Sequence, residues 1–222
     1  MYAQVCTRPD LAFVVGVLGR FQSNPGLHHW TAAKKVLRYL QRTKNFMLCY
    51  RKSDELEVVG YTDSDLAGCK DDRRSTSGYI FFLAGGAISW KSGKQTVRST
   101  STMQAEFIGC FEATKQAVWL RNFIGQMRVV DSISRPLKMF CDNEAAVFFS
   151  KNNKRTSASR LMDVKYLVVR DKVKDKEITI EYISSKSNIA DPLTKSLPVG
   201  VFQNHVANMG ILESFDAADQ WE

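Results

Sequence analysis

The sequence predicts an α/β fold: a mixed five-stranded sheet with helices packed on it, preceded by a small, mainly helical segment. Two observations lead to this prediction. Apolar residues recur at helical spacing over about the first 45 residues, and from about residue 56 the period changes to the alternation of strands. The predicted elements then run as three strands, a helix, a strand, two helices, a strand and a short helix, an order typical of a sheet covered by helices.

The first 50 residues predict two helices and one short strand. Pro9 and Asp10 mark a helix start. The apolar face of that helix is formed by Leu11, Val14, Leu18 and Phe21. Asn24-Pro25-Gly26 ends the pattern. The second helix has an apolar side of Trp30, Ala33, Leu37 and Leu40 and a basic side of Lys34, Lys35 and Arg38. A strand follows at Phe46–Tyr50, and we interpret the whole segment as packing elements.

The predicted sheet begins with a strand whose one face carries Val59, Tyr61, Asp63 and Asp65. Two further strands, Tyr79–Leu83 and Ala87–Trp90, are joined by a tight turn at Ala84-Gly85-Gly86. A long helix follows, with Ser101 as its cap and Gln104 at the capping-box position. The remaining predicted elements are a strand Leu137–Cys141, helices Asn143–Ser150 and Asp163–Val173, a strand Ile178–Ile183 and a helix Asn188–Ser196. The acidic end, Glu213–Glu222, is predicted to be a loose tail.

The charge, the cysteine content and the lack of long apolar runs limit the classes of function that this chain can have. The net charge of +8 and the pI of about 9.3 favour a polyanionic partner such as nucleic acid. Five cysteines without CxxC spacing predict neither a disulfide framework nor a zinc site, so we expect a reducing compartment. The sequence shows no signal peptide and no apolar run of about 20 residues, so we expect neither secretion nor a membrane partner.

Four acidic residues stand in separate motifs: Asp63, Glu106, Asp142 and Asp191. Two lie at predicted strand ends and two near predicted helix N-termini, and in a mixed sheet such ends can gather at one edge. A group of carboxylates would repel itself without cations, and carboxylate oxygens are the ligands that paired magnesium ions need. Two-metal sites serve in-line displacement at phosphorus.

Each acid also has an ordinary structural explanation. Asp63 and Asp65 share a strand face, so the sequence does not say which is the ligand, and both can cap the turn that follows. Glu106 can be an exposed first-turn glutamate favoured by the helix dipole. Asp142 and Asp191 can be plain helix caps. Small residues on the Glu106 face of the helix, namely Cys110, Ala113 and Ala117, favour close approach of that helix to the sheet.

The motifs together resemble the ribonuclease H domain of copia-type LTR retrotransposon Pol polyproteins. They are Tyr61–Gly68, Asp72–Tyr79, Ile88–Ser92, Gln104–Glu106, Cys141–Asn143 and Ala190–Lys195. Two earlier runs, Cys6–Asp10 and His29–Leu40, resemble the end of the reverse transcriptase segment. The resemblance therefore predicts a reverse transcriptase/connection tail at 1–54, a ribonuclease H domain at 55–197, and a C-terminal helix with an acidic tail at 198–222.

The resemblance implies a ribonuclease H-like fold and cleavage of the RNA strand of RNA–DNA hybrids with two Mg²⁺ ions, for which Mn²⁺ can substitute. It implies that the catalytic metal ligands are Asp63, Glu106, Asp142 and Asp191. Its implied partners are the hybrid and the reverse transcriptase domain of a parent polyprotein, in a cytoplasmic retroelement particle or in the nucleus. The candidate phosphate contacts are Arg73, Arg74, Lys91, Lys94, Arg98, Lys151, Lys154 and Arg155. Trp90 can stack on a sugar or base, or pack in the core.

Two departures leave alternatives open. Many relatives carry histidines where this chain has Thr156, Leu161 and Leu167, and its own histidines are elsewhere in the sequence, at His28, His29 and His205. The motifs of a polymerase active site, an integrase and a protease are also absent from this sequence, which predicts a fragment or relic of a longer polyprotein. A non-catalytic nucleic-acid-binding relic is therefore the alternative to an active nuclease. A transposase or integrase is disfavoured, because here the glutamate precedes the second aspartate.

Overall fold

The computed structural model describes residues 2–53, 56–69, 71–152 and 160–213, with the backbone alone at 160–163. The α-helices in these ranges are α1 (Tyr2–Cys6), α2 (Ala12–Gly19), α3 (Leu27–Arg42), α4 (Thr102–Met127), α5 (Glu144–Lys151), α6 (Arg160–Lys174) and α7 (Val199–Asn208). The strands are β1 (Met47–Leu48), β2 (Val59–Asp65), β3 (Thr76–Leu83), β4 (Gly86–Lys94), β5 (Leu137–Cys141), β6 (Ile178–Tyr182) and β7 (Ile211–Leu212). No helix within the described ranges is long and apolar enough to cross a membrane.

The main sheet has five strands in the order β4-β3-β2-β5-β6. The pairs β2–β3 and β3–β4 are antiparallel, whereas β5 is parallel to both β2 and β6. Ala84 and Gly85, both with positive φ, form the tight turn between β3 and β4. The predicted mixed five-stranded sheet is thus confirmed, and the carboxyl ends of β2 and β5 lie at the same edge.

One face of the sheet, here called the helix face, is covered by α4, α5 and α6. Its core includes Phe81, Met139 and Ile180 from the strands and Phe107 from α4, all fully buried. A sequence segment running from about residue 58 to 180 supplies this core. The helix face is therefore supplied by one continuous stretch of the chain.

The opposite face, here called the terminal face, is covered by both ends of the described chain. Its core joins Ala12, Ile80, Leu193, Val206 and Met209. Alternation along β3 sends Ile80 to this face while its neighbour Phe81 points to the other. The two-stranded pairing of β1 with β7 connects the same chain ends. The described residues of the segments predicted as 1–54 and 198–222 therefore share one core with the central sheet.

Two polar contacts fix the N-terminal segment. The Trp90 indole donates a 2.7 Å hydrogen bond to the Gln4 carbonyl and packs against the terminal-face core. Arg8 and Asp10 form a buried ion pair of 2.7 Å, to which the Tyr39 hydroxyl donates a hydrogen bond of the same length. Burial is the largest cause of the raised pKa of Tyr39, and the negative charge of Asp10 is the next largest. The motifs Cys6–Asp10 and His29–Leu40 thus meet in one buried network.

Several predicted elements differ from those observed. The first predicted helix begins as a 3₁₀ turn, Pro9–Leu11, and α1 before it was not predicted. The predicted helix Asn188–Ser196 is wrong: 3₁₀ turns at Ser185–Ser187 and Asp191–Leu193 replace it, since the segment is bound by tertiary contacts rather than by helical periodicity. On α3, the predicted apolar side does not pack throughout, because Trp30 and Leu37 are 59% and 58% exposed.

Candidate metal centre

Asp63 and Asp142 are brought together by strand register. In the parallel pairing of β2 with β5, Thr62 lies opposite Cys141, so the residue following each one is Asp63 or Asp142 at the same sheet edge. Asp63 is 1% exposed, and Asp142 is partly buried. Asn143, rather than Asp142, caps α5, because its side-chain oxygen accepts from the Ala146 N–H at 2.9 Å. Asp142 is therefore left facing the edge.

Glu106 reaches this edge from α4. Gly109 lets the helix approach closely, because a Cβ there would lie 3.3 Å from the Asp63 carbonyl oxygen. The Glu106 carboxylate accepts from the Ser64 N–H at 3.2 Å and lies 3.9 Å from the Cys141 sulfur. Only 4% of the Glu106 surface is exposed, so this residue is not the exposed first-turn glutamate that the helix-dipole explanation predicts. The small residues predicted to lie against the sheet are indeed buried: Cys110, Ala113 and Ala117.

Asp191 arrives from the terminal face, in the 3₁₀ turn Asp191–Leu193. Gly78 on β3, paired with Asp63, makes room for this turn: a Cβ at Gly78 would lie 2.7 Å from the Leu193 side chain. The fully buried Asn188 anchors the same segment by donating to the Thr62 carbonyl at 3.0 Å. Asp191 is thus held against β2 by the backbone of the sheet.

The carboxylates form two overlapping groups that share Asp142. Ligand atoms of Asp63, Asp142 and Asp191 lie within 4.8 Å of one another, and so do those of Glu106, Cys141 and Asp142. The Asp191 Oδ1 atom is buried without a hydrogen-bond partner among the described residues. A buried charged oxygen without a partner is costly, and a metal ion would satisfy it. The carboxylate donors, three in one group and two beside the Cys141 sulfur in the other, are hard oxygen ligands that fit divalent cations.

Crowding of these acids changes their pKa values. Burial, and next the charge of Asp191, raise the pKa of Asp63 to about 7. Burial and the neighbouring Asp63 hold the pKa of Glu106 well above its usual range, and burial also raises that of Asp191. Each shift means that the cluster resists carrying its full negative charge without a cation.

Two residues of the Ala190–Lys195 motif complete the site, and sequence reasoning gave neither a role. The Thr194 hydroxyl hydrogen-bonds the Asp63 carboxylate. The Lys195 ammonium lies 3.0 Å from Asp191 Oδ2 and 3.8 Å from Asp63 Oδ2. Burial alone would lower the pKa of Lys195, but the adjacent carboxylates outweigh it and the net shift is upward. The sequence offered one signal for these roles: Thr194 and Lys195 both belong to the motif that carries Asp191.

Three further side chains lie outside both groups of ligand atoms: Asp65, His205 and Gln95. Asp65 belongs to neither carboxylate group and packs over Gly68, as the turn alternative predicts. His205 on α7 is 4% exposed and interacts electrostatically with Asp191 and Lys195, although it is distant from them in sequence. Burial lowers its pKa.

Buried Gln95 donates to the Ser64 and Ser77 hydroxyls and to the Ala105 carbonyl, linking strands to the start of α4.

The candidate phosphate contacts fall into two sets. Arg73, Arg98 and Lys151 are exposed. The remaining described ones pair with acids: Arg74 and Lys94 with Asp72 at 3.6 and 2.8 Å, and Lys91 with Glu112 at 3.7 Å. Lys91 and Lys94 line a cavity of about 110 Å³ beside Lys165. Lys154 and Arg155 lie outside the described residues.

Comparison with known proteins identifies the family. The chain is 41% identical over 203 residues to the Retrovirus-related Pol polyprotein from transposon TNT 1-94 of Nicotiana tabacum, covering 91% of this chain and 15% of that protein. It is 32% identical to the transposon RE1 polyprotein of Arabidopsis thaliana over 92% of this chain and 14% of that one. The chain belongs to the copia-type retrotransposon Pol polyprotein family. It thus spans only a small part of the polyproteins that it matches.

Another similar protein has a different name. The Secreted RxLR effector protein 161 of Plasmopara viticola is 50% identical over 120 residues, covering 54% of this chain and 84% of that protein. No family model matches. Among solved structures, LC11-RNase H1 in complex with RNA/DNA hybrid is 17% identical with a TM-score of 0.45, over 62% of this chain and 94% of that chain. Foamy viral protease-reverse transcriptase in complex with dsDNA is 12% identical with a TM-score of 0.49, over 73% and 30%.

Proposed function

We propose that this chain is a ribonuclease H that cleaves the RNA strand of RNA–DNA hybrids, with Asp63, Glu106, Asp142 and Asp191 as the ligands of two magnesium ions. The observation that carries the proposal is the meeting of these carboxylates from two strand ends, a helix and a 3₁₀ turn at one sheet edge. Membership in the Pol polyprotein family supports the same function.

The positions of the carboxylates indicate which residues would hold the metal ions. Asp142 belongs to both groups of ligand atoms, one with Asp63 and Asp191 and the other with Glu106, so these four residues would hold the ions. When bound, the ions activate the attacking water and stabilise the leaving oxygen of an in-line displacement. Ser64 and Thr194 hydrogen-bond the carboxylates of Glu106 and Asp63, and Asn188 anchors the Asp191 segment by donating to the Thr62 carbonyl.

The protein surface near the edge would hold the duplex. Gly78 pairs with both Asp63 and Ser92, so Ser92 of β4, between Lys91 and Lys94, lies about two strand spacings, roughly 10 Å, from Asp63 along the sheet. Lysines there can contact phosphates, whereas recognition of the RNA strand depends on its 2′-hydroxyls. This arrangement supports a hybrid as the substrate without base-specific reading.

The test is cleavage of a labelled RNA–DNA hybrid in Mg²⁺ by the wild type and by Asp63→Asn and Asp142→Asn. Removing one ligand of a two-metal site is expected to lower the cleavage rate by about a thousandfold or more. Asp65→Asn is the matched control, because it changes a carboxylate on the same strand that lies outside the cluster. Mn²⁺ should support cleavage by the wild type as well.

Equal cleavage by wild type and both ligand variants would contradict the proposal. Salt-sensitive hybrid binding without Mg²⁺-dependent cleavage would instead favour the non-catalytic relic. The relic alternative rests on the net charge of +8, which favours a polyanionic partner, and on the match of this chain to only a small part of each Pol polyprotein.

A further inference from the structure

Lys195 occupies the position of a cation inside the proposed metal centre. Its ammonium contacts both Asp191 and Asp63, at 3.0 and 3.8 Å, while its side chain remains 35% exposed. A divalent ion bound by the same two carboxylates would be repelled by an ammonium group at this distance. The lysine and the ion therefore compete for one pair of carboxylates.

A place for the displaced ammonium lies next to the cluster. Lys195 also lines a cleft of about 280 Å³ between the N-terminal segment and the C-terminal elements. The other walls include Phe13, Lys35, Tyr39, Pro192 and Phe202. A lysine side chain has rotatable bonds enough to exchange between two such neighbouring positions.

The cleft combines a mostly apolar lining with an exposed basic side chain at its wall. Lys35 is exposed at its wall, with Lys34 and Arg38 exposed on the same helix. Asp10, the acid among the lining residues, is neutralised by its ion pair with Arg8. A displaced Lys195 would add a second positive charge, and the aromatic walls can pack against a sugar or base.

We propose that Lys195 is a tethered counter-cation of the carboxylate cluster, which divalent metal displaces toward this cleft, where its ammonium binds a phosphate of the nucleic-acid strand. Metal binding would in this way prepare the neighbouring subsite for substrate. The identity of the phosphate donor rests on the proposed function, whereas the competition between lysine and metal does not.

The first experiment measures metal affinity without nucleic acid, by titrating Mn²⁺ and following its electron paramagnetic resonance signal. Lys195→Met should bind Mn²⁺ about tenfold more tightly than wild type, since a unit charge next to the site is removed. Lys195→Arg keeps the charge and should stay near the wild-type affinity. Lys172→Met is the matched control: Lys172 pairs with Glu177 at 2.8 Å, beyond the opposite end of β6.

The second experiment measures binding of a hybrid whose RNA strand is 2′-O-methylated and therefore resists cleavage. In Mg²⁺, Lys195→Met should bind it about three- to tenfold more weakly than wild type, because one phosphate contact is missing. Without Mg²⁺ the two proteins should bind equally, since the wild-type ammonium is then held by Asp191 and Asp63. Lys35→Met should weaken binding in both conditions.

Two results would overturn the proposal: Mn²⁺ affinity in Lys195→Met that equals or falls below that of wild type, or a loss of hybrid affinity that does not depend on Mg²⁺. Circular dichroism melting of each variant verifies folding, and Lys195→Gln provides a second neutral variant. Failure of cleavage alone would count against the proposed nuclease and leave the metal competition standing, because the Mn²⁺ titration does not use activity.

Discussion

The two faces of the sheet contribute to the candidate metal centre in different ways. The helix face is built from one continuous stretch and supplies Glu106 through α4, packed on strands that carry Asp63 and Asp142. The terminal face is assembled from both ends of the described chain and supplies Asp191, Thr194 and Lys195. The site therefore forms only where a local unit and a long-range unit meet at one edge.

Breaking the buried ion pair of the terminal face should have the largest effect on stability. Arg8→Met leaves Asp10 buried and unpaired, and we expect a loss of about 3–5 kcal/mol in unfolding free energy. Urea denaturation followed by circular dichroism measures it. The double variant Arg8→Met/Asp10→Leu should recover most of the loss; a double variant as unstable as the single one would show that the pair is not the cause.

Truncating matched core residues separates the two faces. Leu193→Ala on the terminal face and Ile178→Ala on the helix face remove fully buried side chains, and each should cost about 2–5 kcal/mol. Leu193 belongs to the turn that carries Asp191, whereas Ile178 begins β6 away from the site edge. Mn²⁺ affinity should therefore fall only in Leu193→Ala. Equal Mn²⁺ affinities in the two variants would show that the terminal face does not position the metal ligands more than the helix face does.

The raised pKa of Asp63 predicts how the unfolding free energy of the metal-free protein depends on pH. Folded Asp63 holds its proton up to about pH 7, whereas the unfolded group, with a pKa of 3.8, releases it earlier. Between these values the folded state binds more protons, so unfolding free energy falls as pH rises. Asp63→Asn removes this contribution.

We expect Asp63→Asn, in a chelator, to be more stable than wild type by on the order of 2 kcal/mol at pH 8, and close to wild type at pH 4. Urea unfolding across this pH range measures both curves. Parallel curves for the two proteins would show that Asp63 does not carry the pH dependence.

The smallest effect is expected at the exposed basic surface. Arg98→Ala should weaken hybrid binding about threefold and reduce the salt slope by about one, as for a single phosphate contact. Fluorescence anisotropy at several salt concentrations measures both. Arg121→Ala is the control, since Arg121 lies 15 residues beyond Glu106 along α4, roughly 22 Å away. Equal losses in both variants would indicate general electrostatic attraction instead of a contact.

Local pattern was sufficient for the helix face. Alternation predicted the strand carrying Asp63, and Ser101 caps α4 as expected, accepting from the Gln104 N–H at 3.2 Å. The ridge of small residues predicted how Glu106 approaches the sheet, although the close approach at Gly109 was not singled out. These features depend on neighbours within a few residues, which is why periodicity and capping rules capture them.

The sequence by itself determined the mixed sheet, the set of four acids and the family resemblance. Only the tertiary structure decided that Asn143 frees Asp142, that Lys195 also reaches Asp63, and that His205 lies near Asp191. The turn holding Asp191 has no helical period of its own and is fixed by Asn188, Gly78 and the terminal-face core. Contacts across more than a hundred residues leave no local pattern, because their energy appears only when the distant segments pack together.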